Sequence, residues 1–284
     1  MPADRLPLEV AAVQRNYDAA VDGEWARLDK HRTEFAVSLR ALGEYLPPAP
    51  ARVLDCGGGP GRYAIELASR GYRVTIFDLS KGNLQMARAK ADAAGVQLDA
   101  YEHGTATDLG RFPEASFDAV LLMGPLYHLL EREDRVRALS ETCRVLAPGG
   151  PLFAAFVTRY AGHRYAAAND PLGPLREAET YARILRDGCQ PPQGEGGVLV
   201  GYFAHPSEVT PLCEEAGLSV ERILAAEGLL AAIEDRGVNA LEGAAWDYWV
   251  DLNYRVAGDP SLHGGADHLL VIARRIACRK AHCV

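Results

Sequence analysis

Five residues carry the first chemical signal in this chain. Asp55, Gly57, Gly59 and Gly61 are spaced D-x-G-x-G-x-G, and Asp78 closes the next apolar run. Glycines let a backbone approach a ligand closely and adopt positive φ. A helix that starts just after such a turn points its free N–H groups at the ligand, which favours a carboxylate or phosphate there. A carboxylate at Asp78 can accept hydrogen bonds from two ribose hydroxyls. Together these residues predict a nucleotide site. The dinucleotide fingerprint G-x-G-x-x-G fits poorly, because Arg62 stands where its third glycine would be.

The elements needed to position these residues follow from the apolar pattern. Arg52 to Leu54 reads as a short buried strand, Tyr63 to Ser69 has helical spacing, and Tyr72 to Phe77 reads as a second strand. Ser80 caps a helix that runs to about Ala94 and is ended by Gly95. Val96 to Tyr101 predicts a third strand. Phe117 to Met123 is a continuous apolar run suited to the centre of a parallel sheet. Pro151 to Val157, Leu218 to Ala225 and His268 to Arg275 complete the strands, with helices over 131–146 and Pro206 to Ala216 and one or two more in 228–257. The expected fold is α/β: a Rossmann-like, doubly wound, mostly parallel sheet of seven strands. Upstream, 7–46 predicts two helices, stopped by Pro47-Pro48. They either pack on the sheet or form a lid, and Tyr17 and Trp25, aromatics with a polar handle, favour the N-terminal helical lid. Residues 159–205 break the alternation, with a Pro/Gly loop at Gln190 to Gly197 and a strand at Val198 to Phe203, and read as an insertion over the crevice after strand five. The expected organisation is a single domain over 1–284, with a cap at 1–48, a cofactor-binding core at 49–158, the insertion at 159–205 and the rest of the sheet at 206–284.

Three segments carry a family resemblance. The D-x-G-x-G-x-G turn with Asp78, the Phe117–Met123 strand, and RVLAPGGPLFAAF from Arg144 to Phe156 resemble, in order and spacing, three motifs of the class I methyltransferases that use S-adenosylmethionine. The resemblance covers 51–157. It implies methyl transfer to an O, N or C atom of a small-molecule acceptor by in-line displacement. It also implies that Asp55, Gly57, Gly59 and Gly61 cradle the methionyl end, that Asp78 binds the ribose, and that Thr105 and Ala106 flank adenine; Leu79 is a further cofactor-binding candidate. Met123 would border the methyl donor, with Tyr17 contributing from the lid. The family usually has Asp where this chain has Thr105, a hydroxyl that can still accept a hydrogen bond. Asp108 reads as a helix cap or turn residue rather than an adenine ligand.

In doubly wound sheets the carboxyl end of a central strand borders the ligand crevice, which makes Met123, Gly124, Tyr127 and His128 pocket candidates. His128 is the candidate catalytic base, since its ordinary pKa suits neutral pH; the plainer reading is a histidine bonded to a backbone carbonyl. One of Tyr127 and His128 is expected to face the core. Trp25, Tyr127, His128, Tyr160 and His163 are candidate substrate contacts, with Tyr160, His163 and the neighbouring Arg159 also open to structural readings. His268 reads as packing. Glu234 and Asp235 would diverge on a helix and do not form a pair. No local metal-ligand spacing is present, so no metal is expected.

A net charge of −8 argues against a nucleic-acid partner. No basic-then-apolar leader and no membrane-spanning apolar run are visible, and the six cysteines form no C-x-x-C, so a reduced, cytoplasmic protein, monomer or homodimer, is expected. The alternatives are a nicotinamide-dependent oxidoreductase, an S-adenosylmethionine-binding protein without transfer activity, and an enzyme of this fold that uses the sulfonium charge for another reaction.

Overall fold

The structure is a computed structural model that describes residues 8–190, 200–231 and 233–276. Three helices, α1 (Leu8–Ala19), α2 (Val21–Lys30) and α3 (Arg32–Tyr45), precede β1 (Arg52–Cys56). The chain continues through α4 (Arg62–Ser69), β2 (Arg73–Asp78), α5 (Lys81–Ala93), β3 (Ala100–His103), β4 (Ala119–Leu122), a 3₁₀ turn at Pro125–His128, α6 (Arg132–Val145) and β5 (Pro151–Val157). An excursion follows: α7 (Ala161–Asn169), α8 (Gly173–Arg176), α9 (Ala178–Asp187), β6 (Cys189–Gln190) and β7 (Gly201–Tyr202). The chain re-enters the main sheet through α10 (Pro206–Glu215), β8 (Leu218–Ala225), α11 (Gly243–Val256), α12 (Pro260–His263) and β9 (His268–Arg275).

Seven strands form one sheet in the order β3-β2-β1-β4-β5-β9-β8. The first five run parallel, and β9 is antiparallel to both β5 and β8. The order reverses between β1 and β4, which opens a crevice at the carboxyl ends of those strands. All four residues of β4 are buried, as a strand covered on both faces requires. Alternate strand residues feed two cores. Val53, Leu121, Phe153 and Leu270 pack with α3, α4, α5 and α11, while Leu54, Val120, Leu152 and Val271 pack with α6 and α10. The result is a sheet between two helical layers.

Several local expectations change. The N-terminal region holds three helices where two were expected, because the apolar stripe runs from Leu28 to Phe35 with no proline or glycine to mark the break at His31. α3 packs in the core, whereas α1 and α2 reach the crevice. The third strand begins at Ala100, since Leu98 turns into the core first. The strand expected at Val198 to Phe203 is limited, among the described residues, to Gly201–Tyr202, which pairs with Cys189–Gln190 in a separate ribbon. Residues 191–199, most of the expected Pro/Gly loop, lie outside the described residues. Among the described residues no helix is long and apolar enough to cross a membrane.

Ser80 shows how sequence, helix and cap connect. Its Oγ accepts from the Asn83 N–H at 3.0 Å and donates to Asp18 at 2.5 Å, so one hydroxyl both caps α5 and ties it to α1. Ser80→Ala is expected to cost about 1 kcal/mol as a lost cap. In a protein of this size that is a fall of about 2–4 °C in Tm; an unchanged melting curve would show that the cap is not formed.

Candidate active site

The glycine turn is the floor of the site. Gly57 comes so close to the 3₁₀ turn that a Cβ would lie 2.4 Å from Pro125 Cδ. Gly59 differs. Its φ is +54°, and a Cβ there would meet nothing nearer than Asn83 Nδ2 at 3.9 Å. The backbone at Gly59 is therefore held bare towards open space, the arrangement that admits a ligand. Asp78 fixes the turn: its Oδ2 accepts from the Gly59 N–H and its Oδ1 from the Ser80 N–H, each at 2.8 Å. Burial raises the Asp78 pKa against these bonds. Asp55 is buried as well, with no partner for Oδ2, and burial followed by the nearby Asp78 pushes it up to about 7. An orphaned buried carboxylate oxygen beside a bare backbone is a site prepared for a cationic or hydrogen-bonding group.

These residues line one cavity of about 1050 Å³, which includes its open mouth. Of the sequence-derived candidates, Tyr17, Asp55, Gly57, Gly59, Asp78, Leu79, Thr105, Ala106, Met123, Tyr127 and His128 are on its wall. α1 and α2 contribute Val10, Val13, Glu24, Arg27 and Leu28 as well. Thr105 Oγ1 lies 3.0 Å from Thr107 Oγ1, and Asp108 accepts from the Gly110 N–H as a turn residue. Tyr127 and His128, in the 3₁₀ turn Pro125–His128, both line the cavity, contrary to the expectation that one would face the core.

Four candidates stand elsewhere. Gly61 opens α4 and packs against Ala87 of α5, with a Cβ position only 3.1 Å from the Ala87 Cβ. Trp25 turns away, its ring 4.9 Å from the Arg62 guanidinium and 4.5 Å from Lys90 Nζ, a cation on α4 and another on α5. Tyr160 is 43% exposed, and His163 meets Tyr181 edge-on at 5.1 Å. Their segment is anchored instead to α10, because Arg159 donates to Phe203 O and to Glu208, both at 2.8 Å.

His128 is not a free base in this geometry. Its Nδ1 is 2.9 Å from Val200 O, so Nδ1 carries the proton and Nε2 accepts from the Tyr17 hydroxyl at 2.6 Å. Burial lowers its pKa to about 4. The ring stays neutral at physiological pH, and its lone pair holds Tyr17 in place. The plainer reading, a histidine bonded to a backbone carbonyl, describes its Nδ1.

Arg27, on the cavity wall, belongs to a group of charges that includes His268, which is an ion-pair partner here rather than the packing residue expected from the sequence. Arg27 on the wall donates to both oxygens of Glu34, at 2.8 and 3.2 Å. Glu34 Oε2 lies 3.8 Å from His268 Nδ1, and Glu227 Oε1 lies 2.6 Å from the same nitrogen. Burial opposes every charge here. Arg27 and then His268 nevertheless bring Glu34 down to about 2, and Glu34 and then Glu227 hold His268 up to about 9.

Comparison with known proteins adds lineage to this geometry. The Methyltransferase domain family matches residues 53–150. The Ubiquinone biosynthesis O-methyltransferase of Xanthomonas axonopodis pv. citri is 33% identical over 187 residues, 66% of this chain and 70% of that protein. The protein of the same name from Aromatoleum aromaticum is 30% identical over 177 residues, 62% of this chain and 67% of that one. Among solved structures, a SAM-dependent methyltransferase from Methanosarcina mazei shares the fold with a TM-score of 0.57 and 20% identity, over 83% of this chain and 97% of that one.

Proposed function

Because the chain belongs to the class I S-adenosylmethionine-dependent methyltransferases, we propose that its acceptor atom is an oxygen and that the acceptor sits between Met123, Tyr127 and Arg27. The chain transfers a methyl group from S-adenosylmethionine to a small-molecule acceptor. The sulfonium supplies an activated methyl group with a good leaving group. The protein therefore contributes chiefly proximity, orientation and exclusion of water.

The observation that carries the reading is continuity. One cavity is lined by the glycine turn, Asp78 and Thr105 together with Tyr127 and Arg27. The donor set fits the cofactor. Asp78 retains lone pairs for the ribose hydroxyls, the bare backbone at Gly59 admits the methionyl end, and the unpartnered Asp55 oxygen suits its cationic amino group. Thr105, Ala106 and Leu79 line the same cavity, which supports Thr105 and Ala106 as the residues that flank adenine. α1 and α2 act as a lid that excludes water, tethered by Tyr17 to His128 and by Asp18 to Ser80 and Gly82. Oxygen is favoured because the relatives are named O-methyltransferases. A net charge of −8 supports a small acceptor over nucleic acid.

The test is product analysis. The enzyme is incubated with S-adenosylmethionine and separate panels of hydroxylated aromatics, amines and thiols, and products are read by mass spectrometry. Methoxy products from the hydroxylated panel are expected. Methylation confined to amines or thiols would overturn the oxygen assignment.

A further inference from the structure

His268 is the imidazole of this charge cluster, and its Nε2 has no partner among the described residues. It opens β9 and pairs with Val157 at the carboxyl end of β5, the edge of the sheet where ligands bind in this class of fold. Its Nδ1 donates to Glu227 Oε1 at 2.6 Å. Glu227 is 1% exposed, and its other oxygen accepts from the backbone N–H groups of Asp267 and His268 at 3.1 and 2.9 Å. The carboxylate is thus fixed, and it fixes the ring. Every described partner of the ring uses Nδ1, while Nε2 has none among the described residues and 16% of the side chain is exposed. Two cavity-wall residues flank it: Tyr127, ring to ring at 6.5 Å, and Arg27, through Glu34.

Building on the oxygen-acceptor reading above, we propose that His268, oriented by Glu227, presents its Nε2–H to the acceptor and selects one with an acidic, phenol-like oxygen, which it holds as the anion.

The charges around the ring favour this chemistry. Glu227 follows β8, Glu34 comes from α3, Arg27 from α2, and His31 and Tyr127 border the same cluster. Burial opposes charging the ring, but Glu34 and Glu227 outweigh burial and the repulsion of Arg27, so the ring titrates only at about 9. A raised pKa means that the imidazolium persists throughout the neutral range. A phenol ionises near pH 10, close enough for a short charge-assisted hydrogen bond between imidazolium and phenolate. An alkyl amine carries a positive charge at neutral pH and is repelled. The balance is simple. The acceptor's O–H proton leaves to solvent as the anion binds. An oxygen lone pair forms the bond to the methyl carbon as the carbon–sulfur pair stays on sulfur. The imidazolium keeps its proton, so one proton is released per turnover.

Oxygens of Glu34 and Glu227 and the His268 nitrogen all lie within 4.8 Å of one another, a spacing that a divalent cation could also use. Arg27 already takes both Glu34 oxygens, and the Nδ1 proton stands towards Glu227, so such an ion would have to displace both.

The probe is 4-nitrocatechol, whose absorption reports whether its hydroxyl is ionised, titrated into enzyme saturated with S-adenosylhomocysteine. Wild type is expected to bind it as the anion below the pH at which the free probe ionises, with or without EDTA. In His268→Ala the apparent Kd should rise at least tenfold and the anionic spectrum should vanish, while calorimetric affinity for S-adenosylhomocysteine changes less than twofold. With ¹⁵N-labelled histidine, the wild-type His268 Nε2 resonance should shift on probe addition, a readout that needs no variant. No probe binding, binding as the neutral phenol, anion binding retained in His268→Ala, or loss of binding with EDTA would each overturn the proposal. Failure to bind S-adenosylhomocysteine would instead strike at the cofactor reading.

Discussion

Asp78→Ala is expected to weaken S-adenosylmethionine binding by roughly 150-fold, the equivalent of about 3 kcal/mol. Hydrogen bonds to a charged group are each worth about 1.5–3 kcal/mol, and two ribose hydroxyls would lose theirs. The variant also frees the N–H groups of Gly59 and Ser80, so the turn loosens as the ligand contact disappears. Asp78→Asn keeps an acceptor oxygen but loses the charge, and should fall between the two, at about tenfold. Calorimetry measures all three. Equal affinity in wild type and Asp78→Ala would remove the ribose from the account.

The second large effect is on folding. Glu227→Ala leaves a buried imidazolium with only Glu34, at 3.8 Å, as a counter-charge. Breaking a buried ion pair by deleting one partner costs about 3–5 kcal/mol. The loss should depend on pH in a definite direction. His268 is raised in the folded state to about 9, so its contribution is fully present below about pH 6.5 and is lost as pH rises towards 9. Glu34 is depressed to about 2, so its contribution is present above about pH 4.5 and is lost as pH falls towards 2. Wild-type stability from this cluster should therefore peak between about pH 4.5 and 6.5, and the penalty of Glu227→Ala should shrink towards alkaline pH. Urea melts at about pH 5.5, 7.5 and 9.5 test this. A penalty under about 1 kcal/mol, or one that grows with pH, would contradict the ion pair.

The glycine turn and its two acids were legible as a structural unit because they are local. Asp55, the glycines and Asp78 lie in one strand–turn–helix–strand unit, where spacing alone fixes the geometry. The strands at Leu218–Ala225 and His268–Arg275 were legible for a similar reason, as apolar runs with clear ends. Arg27, Glu34, Glu227 and His268 were not. They come from α2, α3, the segment after β8, and β9, and each is unremarkable among its sequence neighbours. Only the antiparallel insertion of β9 beside β5, with α3 packed near it, brings them together. Trp25 misled because an aromatic at the edge of an amphipathic helix signals burial without direction, and two distant cations, Arg62 and Lys90, decided the direction. Tyr17 and His128 were both expected at the pocket, but their mutual hydrogen bond spans 111 positions and no local pattern announces it.

The most direct test of the central claim is calorimetric titration of the purified protein with S-adenosylmethionine, S-adenosylhomocysteine and NADH. Micromolar binding of both adenosyl compounds, with no heat from NADH, is the expected result. Binding of NADH without the adenosyl pair would contradict the account, because the glycine turn and Asp78 would then be serving a dinucleotide.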